Sequence, residues 1–83
     1  MIPENIKSDK ILDARGLSSP MPVLKMLSAL RSLSEGKILE VWCADPEFTT
    51  DYQALGKPSL NEYLGYLTDP DGYLRFFIKK LEK

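Results

Sequence analysis

The sequence predicts a two-layer α/β sandwich in the order β-α-β-α-β-β, with two helices on one face of a four-stranded mixed sheet. Three observations carry this. An apolar stripe of helical period over Pro20 to Glu35 lies between two strand-like stretches, Lys10 to Ala14 and Lys37 to Ala44. Asp69-Pro70-Asp71-Gly72 is a tight turn that joins two further strand-like stretches into a hairpin. The chain has 83 residues, 43% of them hydrophobic, which suits one small core and leaves no room for a second.

Residues 1–8 read as a flexible N-terminal arm and 9–83 as a single domain. Lys10 to Ala14 is a short strand. Pro20 to Glu35 reads as a helix, with Val23, Leu24, Met26, Leu27, Leu30 and Leu33 on one face and Lys25, Ser28, Ser32 and Glu35 opposite. Ser19 is placed as its N-cap, Pro20 as its first helical residue and Gly36 as its stop. Lys37 to Ala44 is a strand with Leu39, Val41 and Cys43 on one side and Ile38, Glu40 and Trp42 on the other. A right-handed crossover makes the two strands parallel neighbours. Thr50-Asp51-Tyr52-Gln53 has capping-box spacing and starts a second helix, with Phe48, Tyr52 and Leu55 turned inward. Gly56 and Pro58 cut it short. Leu60 to Thr68 and Tyr73 to Leu81 form the hairpin, where Leu74, Phe76 and Ile78 alternate with Tyr73, Arg75, Phe77 and Lys79.

Composition narrows the function. Eleven basic residues against twelve acidic ones argue against direct binding of nucleic acid. No apolar run approaches the roughly 20 residues that span a bilayer. Met1 to Asn5 lacks the regions of a signal peptide, so a cytoplasmic, membrane-free protein is expected. Cys43 is the one cysteine and cannot form an internal disulfide. There is no histidine, so Ser-His catalysis is excluded and a structural zinc site is not expected. No cofactor is implied.

The stretch Leu12-Asp13-Ala14-Arg15-Gly16-Leu17-Ser18-Ser19-Pro20-Met21-Pro22 carries the functional signal. A strand ends, Gly16 turns the backbone, and two prolines open a helix. The side chain at position 19 is expected at the positive end of that helix, a place suited to a nucleophile or an anion. Here it is a hydroxyl.

Leu12 to Leu17 followed by Pro20-Met21-Pro22 resembles the signature of the TusA/SirA-like sulfur carrier proteins. So do Asp45-Pro46, Thr49-Thr50-Asp51 and Tyr73 to Lys80, in the same element order over roughly residues 9 to 80. The resemblance implies a carrier residue at position 19. It also implies a partner surface of Arg15, Gly16, Pro20, Met21 and Pro22, a cysteine desulfurase or other sulfur donor, and an acceptor protein. Two departures stand out. The family motif has cysteine where this chain has Ser19, and Leu60-Asn61-Glu62 stands in place of the family's Gly-His-Glu segment. A thiolate can take up sulfane sulfur, whereas a serine hydroxyl does not ionise usefully at neutral pH. Three explanations follow: a natural paralogue that lost the chemistry, an introduced replacement of the cysteine, or transfer of the role to Cys43. The alternative in another class is a non-catalytic binding or regulatory module on the same scaffold.

Other residues have plainer readings. Cys43 is expected as a small buried hydrophobe on the same rim as position 19. Asp13 and Arg15 are expected as a local ion pair, with anion holding by Arg15 as the functional alternative. Trp42 and Phe77, with Tyr66 or Tyr63, are expected on the helix-free face, where exposure would support a weak homodimer. Lys79, Lys80 and Lys83 are expected as a solvated, edge-protecting tail.

Overall fold

A computed structural model describes residues 6–57 and 59–81. The order is β1 Lys10–Asp13, α1 Met21–Leu30, β2 Ile38–Cys43, α2 Phe48–Leu55, β3 Asn61–Thr68 and β4 Leu74–Lys80. The expected element order holds. The expectations for Met1 to Asn5, Pro58, Glu82 and Lys83 fall outside the described residues.

The sheet runs β1-β2-β4-β3, with β1 parallel to β2 and the other pairs antiparallel. One row across it is Leu12, Val41, Phe76 and Tyr66, and the next is Lys10, Leu39, Ile78 and Tyr63. These rows face the helices. Val23, Met26 and Leu30 of α1 and Phe48 and Tyr52 of α2 close over them. Phe48 stacks on Phe76 at 4.2 Å between ring centroids, so the aromatic pair fixes α2 to the middle of the sheet.

Both helices differ from their expected bounds. Ser19 is not the N-cap: Pro20 occupies that position, Met21 is the first helical residue and Pro22 the second. A proline fits there because first-turn N–H groups have no intrahelical acceptor. At the other end α1 stops at Leu30, five residues short of Glu35. The Ser32 hydroxyl donates to the Ala29 carbonyl and the Lys80 ammonium to the Leu30 carbonyl. The Ser32 and Leu33 N–H groups share the same two carbonyls at 3.2 and 3.1 Å, closing i→i+3 turns that end the α-helix. Gly36 instead makes the turn into β2 with φ +86°, its N–H donating to the Lys80 carbonyl. α2 begins at Phe48, two residues before the capping-box threonine, because Asp45 orders the approach by accepting the Glu47 N–H at 2.9 Å. Leu24 and Leu55, expected inward, are exposed. The buried stripes are narrower than the apolar residues would allow.

The face away from the helices is not an open aromatic patch. Its rows are Ile11, Glu40, Phe77, Gly65 and Asp13, Trp42, Arg75, Leu67. A β-bulge between Tyr63 and Gly65 inserts Leu64 and turns both tyrosines to the helix side, correcting their expected placement. Phe77 is 1% exposed, with the Arg75 guanidinium over its ring. The Arg15 guanidinium caps Trp42 and Tyr73, 5.0 and 4.8 Å from their centroids. The exposed aromatic surface on which self-association was expected is therefore absent among the described residues. Lys80 is likewise no solvated edge residue. It lies on β4, an interior strand, and is buried.

Glu40 is a buried carboxylate on this face, 3% exposed. It accepts hydrogen bonds from Arg75 Nε at 2.7 Å, Trp42 Nε1 at 2.6 Å and the Ser8 hydroxyl at 2.8 Å. The chain is thus tied down from Ser8, inside the segment expected to be loose. Burial pushes the Glu40 carboxyl up, but the bonds from Arg75, Trp42 and Ser8 outweigh it and hold the carboxyl below its usual range. A lowered carboxyl contributes stability that is present above the unfolded-state value and lost as pH falls through the folded one. Acid unfolding is expected to draw on Glu40 below the ordinary glutamate range. Glu40→Gln should flatten that limb of the stability curve, measured by urea unfolding between neutral and acid pH. An unchanged slope would remove Glu40 from the account.

Candidate functional site

Position 19 sits where the loop after β1 meets α1 and the loop between β2 and α2. The loop turns early, with the Leu17 N–H donating to the Ala14 carbonyl at 3.1 Å. Ser19 is exposed at its tip, and the Ser19–Pro20 peptide bond is cis. Its N–H donates to Asp45 Oδ2 at 3.2 Å, and its hydroxyl donates to the Asp51 carboxylate on α2. Ser19 is therefore a cross-link between two loops and a helix, not a cap on its own helix.

The electrostatics differ from those expected. A helix start is electropositive through its free N–H groups. Here Pro20 and Pro22 have none, the Met21 N–H is taken by the Ser18 carbonyl, and those of Val23 and Leu24 reach back to the Pro20 carbonyl. Little positive charge remains for residue 19, while two carboxylates face it. The site suits a hydrogen-bond donor better than an anion.

Cys43 lies on the same rim, as expected from the parallel β-α-β unit, and is fully buried. Its thiol donates to the Asp45 carbonyl at 3.5 Å, and its sulfur accepts the Asp45 N–H at 3.4 Å. Burial pushes the thiol up, and the nearby Asp45 and Asp51 carboxylates add to the rise against the bond from the Asp45 N–H. The reading of Cys43 as a structural residue holds, since a reactive thiol needs the opposite surroundings. A thiol reagent at neutral pH should label the chain only after denaturation. Fast labelling of the native chain would refute this.

The other expected site residues separate. Arg15 is held by Asp13 through Nε at 2.9 Å and Nη2 at 2.8 Å. That bond raises the guanidinium, which needs no help to stay charged, and holds the Asp13 carboxyl below its usual range. With its guanidinium spent on Asp13, Trp42 and Tyr73, Arg15 belongs to the outer face, as the ion-pair reading has it. Pro22 is buried in the core. Gly16, Pro20 and Met21 are exposed around Ser19, with exposed Leu24 one turn along α1. Asp45 and Asp51 were missed as site residues, although both stand in segments that carried the family resemblance. Among the described residues no cluster of potential ligands could hold a metal ion.

Residues 10–80 match the family model of sulfurtransferase TusA. The chain belongs to the TusA family. The TusA sulfur carrier protein of Allochromatium vinosum is 36% identical over 72 residues, covering 87% of this chain and 93% of that protein. YrkF of Bacillus subtilis is 38% identical over 76 residues, covering 90% of this chain, which spans only 40% of YrkF. The crystal structure of a SirA-like protein from Desulfitobacterium hafniense superposes with a TM-score of 0.71 over 88% of this chain and 99% of that one. At 24% identity it supports the fold. The TusA family is one of sulfur carriers, and the four-stranded mixed sheet with two helices is its architecture in this chain. No described helix is long and apolar enough to cross a membrane.

Proposed function

We propose that this chain is a sulfur-carrier-type protein that docks sulfur-transfer partners in the cytoplasm through the loop ahead of α1, and that Ser19 stands at the carrier position without holding sulfur. The observation that carries this is the bonding of Ser19, whose N–H and O–H are both given to carboxylates. In persulfide transfer a thiolate attacks the outer sulfur of a donor persulfide. A new S–S bond forms on the acceptor, the donor S–S bond breaks, and the donor leaves as a thiolate. A serine would have to lose its proton first. The chain has no histidine to take it, and carboxylates beside the oxygen oppose the alkoxide.

The docking surface is Gly16, Pro20, Met21 and Leu24 around Ser19. Gly16 has φ outside the left-handed region, and a Cβ there would meet nothing within 4 Å. The isolated fold has no need of glycine at that point, whereas a closely approaching partner does. Met21 and Leu24 are 39% and 41% exposed and supply the apolar part. The donor is a cysteine desulfurase or another persulfide-bearing protein, and the acceptor is a second protein.

The test is incubation of Ser19→Cys with a cysteine desulfurase and cysteine, read by intact mass. The variant should gain one sulfur atom, removable by a thiol reductant, and the unsubstituted chain none. Loading of the unsubstituted chain would mean that Cys43 carries sulfur. Failure of Ser19→Cys to load from any donor would leave a binding module.

A further inference from the structure

A cleft of about 160 Å³ opens at the C-terminal end of α1. Leu27, Leu30 and Leu60 give it an apolar wall, and Arg31, Lys57 and Lys80 bring three positive charges to it. Among the described residues no carboxylate lines it and none of the three cations has an ion-pair partner. Its remaining polar side chain, Asn61, is spent. The amide donates to the Gly56 and Lys57 carbonyls at 3.1 and 3.2 Å, and its oxygen accepts the Tyr52 hydroxyl.

Lys80 is the informative residue. It is 7% exposed, yet its ammonium donates to a single acceptor among the described residues, the Leu30 carbonyl at 2.7 Å. An ammonium has three donors, and a buried charge without a counter-charge is costly. Lys57 is held at the rim with φ +52°, its carbonyl fixed by Asn61. An uncompensated cationic cluster beside a leucine wall is the complement of an anion with an apolar body.

We propose that this cleft binds a small amphiphilic anion, its charged group held by Lys80, Arg31 and Lys57 and its aromatic or short aliphatic body lying on the three leucines. The cleft lies at the opposite end of α1 from position 19, about 15 Å away along a ten-residue helix. It is a second site, independent of the sulfur-transfer reading. An apolar cavity of roughly 150 Å³ accommodates benzene, so benzoate is a probe of suitable size.

The experiment titrates the full, isotopically labelled chain with benzoate, benzyl alcohol and inorganic sulfate, following backbone amide shifts by NMR. Benzoate should give saturable shifts at Arg31, Lys57, Leu60 and Lys80 and leave Ser18 and Met21 unmoved. Benzyl alcohol should bind about tenfold more weakly, since it lacks the charge-assisted bonds. Arg31→Gln and Lys57→Gln, both at exposed positions, should each weaken benzoate about threefold without loss of fold. Saturable benzoate binding with those losses supports the proposal. Absence of saturable shifts, equal binding of the alcohol, sulfate binding as tight as benzoate, or unchanged affinity in both variants would overturn it.

Discussion

Phe76→Ala is expected to remove a large part of the stability of this chain. Phe76 is 1% exposed at the centre of the helix-facing rows, stacked on Phe48 and within 5.7 and 6.4 Å of the Tyr66 and Tyr63 rings. Truncating a buried phenylalanine to alanine costs about 3–5 kcal/mol. A chain of this length has about 4–12 kcal/mol in total. The loss should appear as a large fall in the urea midpoint, with α2 loosened first because the Phe48–Phe76 stack anchors it. Tyr66→Ala, at a residue 48% exposed, is the comparison and should cost about 1 kcal/mol or less. A Phe76→Ala cost no larger than that of Tyr66→Ala would refute the assigned core. The effect reaches the functional site, since α2 carries Asp51 and so helps hold Ser19.

The fold was legible where one period dominated. Val23, Met26 and Leu30 repeat at helical spacing, and Leu39, Val41 and Cys43 on β2 and Leu74, Phe76 and Ile78 on β4 fall at every second position, so those faces followed from the order of residues. Misreadings arose where a tertiary contact decided the outcome. The end of α1 closes in i→i+3 turns and is tied by Lys80, whose ammonium reaches the Leu30 carbonyl from 50 residues away. The faces of Tyr63 and Tyr66 depend on a one-residue bulge, which flips every later side chain in a strand and leaves no composition signal beyond Gly65. The covered outer face depends on Arg15 and Arg75 lying flat over aromatic rings, which hydrophobic patterning does not record.

The candidate site was half legible. A strand end, a turn and a proline-flanked helix start placed position 19 on the surface, and the parallel crossover placed Cys43 on its rim. The sign of the local field was not legible. Proline was known to lack an N–H, but only the loop hydrogen bonds reveal that Met21, Val23 and Leu24 have none to spare. The two carboxylates that replace that field come from 26 and 32 residues downstream.

That field sets the last prediction. In Ser19→Cys the introduced thiol should be sluggish, and Asp51→Asn in the same chain should quicken it. A carboxylate about 4 Å from a thiolate costs roughly 1–4 kcal/mol between bulk-water and surface dielectrics, and exposed pairs realise about 1 kcal/mol or less. Removing about 1 kcal/mol of repulsion lowers the thiol by about 0.7 pK unit, since a unit corresponds to about 1.4 kcal/mol. The thiolate fraction at neutral pH then rises about fivefold. A less basic thiolate is also a poorer nucleophile, and a Brønsted slope of about 0.4–0.5 returns roughly a factor of two. The net expectation is reaction with an aromatic disulfide about two- to threefold faster at neutral pH, with the midpoint of the pH–rate profile moved down by about 0.7 unit. In the unsubstituted chain the same Asp51→Asn change should matter little, because an amide oxygen accepts the Ser19 hydroxyl as a carboxylate does. An unmoved midpoint in the double variant would mean that Asp51 does not govern charge at position 19. A downward shift would mean that the acidic pair keeps residue 19 a donor, and that restoring sulfur chemistry here requires changing the surroundings together with the nucleophile.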